Sequence, residues 1–275
     1  MKSLQDTIRL HNGVEMPRLG LGVYKVEKGQ QVEETVTTAL KLGYRSIDTA
    51  AFYQNEEGVG NAVRQSGIAR KELFITTKVW NSEQGYDETL KAFEASMKKL
   101  NLEYLDLYLV HWPVQGKYLE TWRALETLYK EGRVRAIGVS NFKIHHLEDL
   151  LNNSELKPVI NQVELHPRLS QPELRDYCKE KEIAVEAWSP IARGRILNDP
   201  VLMKIAENHN KSSAQVILRW HLQNDVVIIP KSVTPARLKE NIALFDFELS
   251  TDEMAQINSL NRNERFGADP DHIDF

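Results

Sequence analysis

The chain has 275 residues, with 35 Lys and Arg against 39 Asp and Glu, and a net charge of −4. Hydrophobic residues make up 41% and charged residues 27%, which excludes collagenous, disordered and membrane-embedded classes. The mild acidity argues against nucleic acid or a membrane as a partner, because both require an excess of Lys and Arg. The chain begins without a signal peptide, and its single cysteine, Cys178, cannot form an internal disulfide, so we expect a cytoplasmic protein.

Short apolar runs rich in β-branched residues alternate with longer amphipathic segments, a pattern typical of strand–helix units around a parallel sheet. An Asn12-Gly13 turn between residues 7–10 and 14–16 predicts a hairpin ahead of the first unit. The eight predicted strands cover residues 19–25, 44–48, 73–79, 105–111, 134–139, 159–164, 183–188 and 226–230.

Eight units in about 250 residues favour a closed (β/α)8 barrel over an open doubly wound sheet. Two helices, at residues 200–209 and 213–223, precede the last strand, so one of them is additional to the barrel. Another helix is predicted at residues 250–260, after the eighth unit. No Pro-, Gly- or Ser-rich linker divides the chain. We therefore expect an α/β fold, a TIM barrel with an N-terminal β-hairpin and two extra helices, in a single domain over residues 1–275.

Residues able to bind or react close seven consecutive strands, and in a TIM barrel such residues meet at one rim. They are Asp48, Lys78, His111, Ser140, Asn141, Gln162, Trp188, Ser189, Lys231 and Ser232. Lys78 lies among apolar residues, where an unpaired ammonium is costly to bury, and Asp48 on the adjacent strand is its expected partner. Taken singly, Asp48 also fits a helix cap, His111 a core histidine and Tyr53 an aromatic lid.

Six segments together resemble the aldo-keto reductase superfamily over nearly the whole chain: GYRSIDTAAFY, TTKVW, YLVHWP, IGVSNF, NQVELHP and IPKSVTPARLKEN. Within it, the chain is similar to short bacterial and protozoan members, which include glyoxal or methylglyoxal reductases, 2,5-diketogluconate reductases and prostaglandin F synthases. The resemblance implies that Asp48, Tyr53, Lys78 and His111 form the catalytic tetrad of an NADPH-dependent reductase.

These residue types suit carbonyl reduction, which needs a hydride at carbon and a proton at oxygen. The hydroxyl of Tyr53 can donate the proton, but its usual pKa near 10 makes it a slow acid. We expect Lys78 to lower that pKa and Asp48 to keep Lys78 charged and oriented. His111 can donate a hydrogen bond to the substrate oxygen.

No side chain supplies a hydride, so a cofactor is required. A Rossmann fingerprint is absent, since Gly20-Leu21-Gly22 lacks the third glycine. Lys231 and Ser232 instead precede a predicted helix start at Thr234-Pro235, an arrangement suited to a phosphate of either a cofactor or a substrate. The resemblance implies that it binds the adenosine 2′-phosphate of NADPH. The cofactor contacts that it implies are Ser140, Asn141, Gln162, Trp188, Ser189, Ile191, Arg193, Lys231, Ser232, Val233, Thr234, Arg237, Glu240 and Asn241.

An apolar substrate pocket is predicted from Tyr24, Trp80 and Trp112 together with His111. Because only 15 residues follow Leu260, we expect an open site that accepts small aldehydes, α-dicarbonyls such as methylglyoxal, and simple ketones. By analogy with relatives of this length we expect a monomer.

Two other classes compete with this interpretation. A regulatory or structural barrel would bind the cofactor without turnover, because fold alone does not fix function. A metal-dependent hydrolase or isomerase is suggested by His145-His146 and His166-Pro167. Adjacent histidines on a helix are expected to diverge, and no three ligands cluster at successive strand ends, so we expect no metal. The acidic residues 269–274 are expected to form a solvated loop.

Overall fold

The computed structural model describes residues 3–273 and 275, and its centre is a closed parallel barrel. Each strand pairs with the next in chain order, and a bridge between Leu19 and Ile228 joins the first barrel strand to the last. The barrel strands are β3 Leu21–Gly22, β4 Ser46–Asp48, β5 Phe74–Val79, β6 Leu105–Val110, β7 Val134–Ser140, β8 Ile160–Glu164, β9 Ala184–Trp188 and β10 Val227–Ile228.

An antiparallel hairpin precedes the barrel, formed by β1 Thr7–Arg9 and β2 Glu15–Pro17. Leu10 and Met16 from this hairpin region are buried with Phe74 and Leu107, which lie near the amino ends of their strands. The hairpin therefore closes the barrel end opposite to the one where the strands finish.

Ten helices surround the sheet in the described part of the chain. They are α1 Gln30–Lys41, α2 Glu56–Gln65, α3 Tyr86–Leu100, α4 Tyr118–Lys130, α5 Ile144–Asn152, α6 Pro172–Glu180, α7 Pro200–His209, α8 Ser213–Gln223, α9 Pro235–Ile242 and α10 Thr251–Asn258. Eight of these follow the barrel strands, whereas α7 and α10 are additional and pack on each other. The predicted TIM barrel with an N-terminal hairpin and two extra helices is confirmed.

Burial explains why the sequence pattern identified the units. Every residue of β5 and β6 is buried, because one face lines the barrel and the other meets the helices. The helices bury one apolar face each, as α3 does with Phe93 and Met97. Cys178 on α6 is buried as well, and burial raises the pKa of its thiol to about 12. Among residues 3–273 and 275, no helix combines the length and apolar character needed to cross a membrane.

Strand boundaries at the closing seam differ from the prediction. The first barrel strand covers two residues instead of residues 19–25, and the last covers Val227–Ile228 instead of residues 226–230. After Gly22 the chain leaves the sheet, and Lys25 has a φ of 57°. A side chain at Gly22 would lie 2.8 Å from the carbonyl oxygen of Ile229, so only glycine allows this approach. Tyr24 is thereby placed in a loop above the barrel.

Candidate active site

The four predicted catalytic residues meet where the barrel strands end, a region called here the barrel mouth. Asp48 is the last residue of β4, Lys78 is the penultimate residue of β5, and His111 directly follows β6. Tyr53 ends a 3₁₀ turn, Ala51–Tyr53, that follows β4 and brings its side chain back over the strand ends. The Tyr53 and His111 rings lie 5.8 Å apart, edge to face.

Lys78 is fully buried, and the three N–H groups of its ammonium all have acceptors. Nζ donates to Asp48 Oδ1 at 2.6 Å, to the Thr49 carbonyl oxygen at 2.9 Å and to Tyr53 Oη at 3.5 Å. The expected Lys78–Asp48 pair is present in the structure. Because Tyr53 Oη accepts from the ammonium, its own O–H is left to donate to another group.

Protonation states at the mouth follow from burial and from this ion pair. Burial lowers the pKa of Lys78, but Asp48 and Tyr53 together raise it by more than burial lowers it. Its pKa therefore lies above the usual value, and the side chain stays charged. Burial raises the pKa of Tyr53 to about 12, and the opposing effect of Lys78 does not cancel it. Lys78 lowers the pKa of Tyr53 as expected, but desolvation of the phenolate outweighs the nearby cation, so the pKa lies above its usual value. Tyr53 holds its proton at neutral pH.

His111 is neutral at physiological pH. Burial, followed by repulsion from Lys78, places its pKa well below 6.5. Its Nδ1 is buried and meets no hydrogen-bond partner among residues 3–273 and 275. A buried lone pair is easier to leave unpaired than a buried N–H, so the single proton belongs on Nε2. His111 can therefore donate one hydrogen bond.

A chain of hydrogen bonds joins the ends of β6, β7 and β9. Asn141 Nδ2 donates to the His111 carbonyl oxygen at 3.0 Å and to Ser140 Oγ at 3.1 Å, while Asn141 Oδ1 accepts from Trp188 Nε1 at 2.8 Å. Ser140 Oγ in turn donates to the Gln162 carbonyl oxygen at 2.8 Å. Asn141 has a φ of 66°, a conformation that asparagine tolerates. These bonds fix the orientation of the Trp188 indole.

Gln162 on β8 reaches across the barrel to Asp48 on β4. Its Nε2 donates to Asp48 Oδ2 at 2.8 Å and to Glu186 Oε2 at 2.8 Å. Glu186 on β9 is buried, and it was not among the predicted site residues. Its position before the end of its strand hid it, although a carboxyl group within the apolar run AVEAW was a signal.

The loop after β9 has an irregular backbone, with φ values of 48° at Ser189, 51° at Ala192 and 54° at Arg193. His221 Nε2 lies 2.9 Å from the Pro190 carbonyl oxygen and holds this loop from below. Ile191 is half-buried and packs on the core, whereas Arg193 is exposed.

The predicted phosphate site lies between β10 and α9. Lys231, Val233, Thr234 and Arg237 are exposed, and Ser232 is buried and accepts from the Thr234 N–H at 3.1 Å. Neither Lys231 nor Arg237 forms an ion pair with any described residue. Two unpaired cations therefore flank a helix N-terminus, an arrangement suited to an anion. On the same helix, Asn241 is buried, and Glu240 accepts a hydrogen bond from the Ser212 hydroxyl, which caps α8.

Aromatic side chains line one side of the mouth. The rings of Tyr24 and Tyr53 lie 5.0 Å apart, and Trp80 is 5.1 Å from His111. Two further residues, absent from the predicted pocket, stack on Trp80: Phe52 at 3.9 Å and Phe275 at 5.8 Å. Phe275 also meets Trp112, edge to face, at 5.4 Å. A cleft of about 650 Å³ lies along Trp80, Pro113 and Phe275, and Tyr53 does not line it.

The C-terminal segment, which the sequence did not place, returns to the mouth. The backbone N–H groups of Phe266 and Gly267 donate to the Glu164 carboxylate at 2.8 and 2.9 Å. A side chain at Gly267 would lie 2.4 Å from the Trp188 ring. The segment after α10 therefore packs on the ends of β8 and β9, and its last residue borders the cleft.

His145 and His146 do not diverge as expected, and their rings lie 4.0 Å apart. Both face Asp271, with Nε2 to Oδ1 distances of 3.0 and 3.6 Å, and Lys143 Nζ lies 2.5 Å from Oδ2. The acidic segment is thus paired with α5 and is not simply solvated; Asp274 lies outside the described residues. Because His146 Nδ1 accepts the Lys143 backbone N–H, its Nε2 carries the proton and offers no lone pair to a metal.

The fold and the mouth together define a barrel that holds a protonated phenol beside a buried ion pair. These groups are suited to acid–base chemistry at a carbonyl group. Comparison with known proteins agrees. Residues 18–262 match the Aldo/keto reductase family, so the chain belongs to that family and is an oxidoreductase, as predicted.

Individual relatives match over nearly their whole length. The chain is 62% identical over 273 residues to glyoxal reductase of Bacillus subtilis, covering 99% of both chains. It is 52% identical to the 9,11-endoperoxide prostaglandin H2 reductase of Trypanosoma cruzi, covering 98% of this chain and 96% of that one. A solved structure of a Gox0644 variant in complex with NADPH superposes with a TM-score of 0.94 at 48% identity, covering 98% and 99% of the two chains.

Proposed function

We propose that this protein uses NADPH to reduce aldehydes, α-dicarbonyls such as methylglyoxal, and simple ketones to alcohols. The observation that carries the proposal is the chain of hydrogen bonds that joins Asp48 to Lys78 and Lys78 to Tyr53, with the Tyr53 ring beside that of His111. The glyoxal reductase and the NADPH complex among its relatives support the substrate class and the cofactor.

The residues present fit this dinucleotide. Lys231 and Arg237, unpaired at the start of α9, suit a 2′-phosphate, and the Trp188 indole, fixed by Asn141, offers a flat surface to the nicotinamide. Gln162 uses both N–H groups within the protein and retains its carbonyl oxygen for the carboxamide. Bound NADPH supplies the hydride. Along the rest of the cofactor we propose the remaining predicted contacts, Ser140, Ser189, Ile191, Arg193, Ser232, Val233, Thr234, Glu240 and Asn241.

Proton donation is assigned to Tyr53. Its O–H points away from Lys78, which already donates to Oη, and is free to meet the substrate oxygen. As negative charge develops on that oxygen, the proton moves from Oη to it, and the resulting phenolate is stabilised by the ammonium 3.5 Å away. Asp48 keeps the ammonium charged, and neutral His111 donates from Nε2 to the same substrate oxygen.

Substrate size is set by the aromatic wall. Tyr24, Trp80 and Trp112, joined by Phe52 and Phe275, offer apolar faces and few polar partners, which supports small or apolar carbonyl compounds over charged sugars.

We also propose that the protein is a cytoplasmic monomer and that residues 1–275 form one domain. The large apolar side chains most exposed among residues 3–273 and 275 are few, and three of them lie at the mouth: Tyr24, Phe52 and Phe275. This distribution supports a monomer, because a stable interface needs a contiguous apolar patch.

The test is Tyr53→Phe, with Tyr24→Phe as a matched control that also loses one hydroxyl at the mouth. We expect Tyr53→Phe to bind NADPH within about twofold of wild type and to lose at least about 100-fold in turnover of methylglyoxal, since general acids contribute at least that factor. Tyr24→Phe should retain turnover. Wild-type binding of NADPH without oxidation by any carbonyl in a panel would instead indicate a regulatory or structural barrel.

A further inference from the structure

Glu186 is a buried acid that the proposed chemistry does not use. It lies on β9, is 1% exposed, and is opposite Gln162 in the register of β8 and β9. On its other side, β10 places Val227 at the same level, which is apolar. Within the described residues its hydrogen-bond partner is the Gln162 amide nitrogen. A carboxyl group in such surroundings needs a reason to be there, because burial disfavours it strongly.

The charges around Glu186 show how it is tolerated. Asp48, across the barrel, repels its ionised form, Lys78 favours that form, and the Gln162 N–H groups lie between the two acids. Lys78 is already paired directly with Asp48 at 2.6 Å. Burial first, and Asp48 second, raise the pKa of Glu186 to about 8. It is mostly protonated at neutral pH, so it adds no second negative charge beside the Lys78–Asp48 pair.

Two carboxyl groups together determine how the Gln162 amide is oriented. An amide nitrogen has two N–H groups, and here one points to Asp48 and the other to Glu186, each at 2.8 Å. Turning the amide over would bring its carbonyl oxygen against the ionised Asp48 carboxylate, which has no proton to donate. With Asp48 alone, the second N–H would be unpaired and the amide could rotate about its remaining bond.

Resting on the proposed function, we propose that Glu186 is a positioning residue that fixes the Gln162 amide, so that its carbonyl oxygen stays available to the nicotinamide carboxamide. It also joins the Lys78–Asp48 pair to the cofactor site through one side chain. A shift of the Gln162 side chain on cofactor binding would alter its hydrogen bond to Asp48, and through Lys78 the hydrogen bond to Tyr53.

The experiment compares two nucleotides, one with and one without the nicotinamide half of the cofactor. Kd is measured by fluorescence for NADPH and for adenosine 2′,5′-bisphosphate, which has the phosphate contacts but no nicotinamide. Glu186→Leu removes the acceptor, and Glu186→Gln keeps an acceptor oxygen for Gln162 in the same volume. If the Leu variant does not fold, Glu186→Ala removes the same acceptor.

We expect Glu186→Leu to raise the Kd for NADPH about tenfold, the effect of losing one good hydrogen bond. The Kd for adenosine 2′,5′-bisphosphate should change less than twofold, and Glu186→Gln should restore NADPH binding to within about threefold. Equal weakening of both nucleotides, unchanged NADPH binding, or failure of the Gln variant to restore it would each overturn the proposal. Because no carbonyl is present, the outcome is independent of whether Tyr53 is the proton donor.

Discussion

Replacing Lys78 by methionine removes the cation from Tyr53 while keeping the length and apolar body of the side chain. The ammonium is fully buried and donates to Asp48, Thr49 and Tyr53, so methionine fills the space and loses all three bonds. The variant also leaves the buried Asp48 carboxylate without its counter-ion, which costs about 3–5 kcal/mol in the free energy of unfolding.

The effect on proton donation can be estimated from the 3.5 Å between Nζ and Oη. With an effective dielectric constant of about 20, a full phenolate–ammonium pair at that distance is worth about 4.7 kcal/mol. If about half of the negative charge has formed on Oη in the transition state, the barrier rises by about 2.4 kcal/mol. That rise corresponds to a fall of roughly 50-fold in the rate of carbonyl reduction.

The assay is NADPH oxidation with methylglyoxal, measured beside NADPH affinity and thermal unfolding. The double variant Lys78→Met/Asp48→Asn is the matched control, because it removes both charges and the uncompensated carboxylate. We expect it to regain most of the lost stability but not the lost rate. Turnover by the double variant within about threefold of wild type would refute the role of Lys78.

The remaining predictions concern pH and the cofactor phosphate. Burial lowers the pKa of His221 to about 3. In the unfolded chain its pKa is near 6.5, so between about pH 3 and 6.5 the unfolded chain binds more protons than the folded protein. The free energy of unfolding therefore falls as the pH falls through this window. When the pH is lowered from 7.5 to 5.5, the free energy of unfolding of wild type should fall by about 1.4 kcal/mol more than that of His221→Gln. Denaturant titration at the two pH values measures both losses, and equal losses would contradict the prediction. Lys231→Ala and Arg237→Ala should each raise the Kd for NADPH at least about tenfold and that for NADH less than twofold. Lys239→Ala, at an exposed lysine in the last turn of α9, should change neither Kd, and equal weakening of both nucleotides would argue against a 2′-phosphate contact.

Much of the architecture could be predicted because the barrel is built from repeated local patterns. Fully buried strands such as β5 and β6 are short, largely apolar runs, and Lys78 and His111 stand out where those runs end. The short strands at the seam could not be bounded in this way. Their length depends on how the first and last strands meet, which Gly22 and the Ile229 carbonyl oxygen determine.

The features that were missed depend on contacts between distant parts of the chain. Phe275 reaches Trp80 only because the last segment folds back, and His145 and His146 converge on Asp271 for the same reason. The role proposed for Glu186 depends on its hydrogen bond with Gln162 on the adjacent strand. The direction of the Tyr53 pKa also depends on burial, which the type of neighbouring residue does not reveal.

A crystal structure with NADP⁺ and a bound carbonyl compound tests the central claim most directly. We predict that the carbonyl oxygen lies about 2.6–3.2 Å from Tyr53 Oη, and that its carbon lies about 3–3.5 Å from C4 of the nicotinamide ring. A nicotinamide ring bound away from Trp188, or a carbonyl oxygen that meets neither Tyr53 nor His111, would contradict the account.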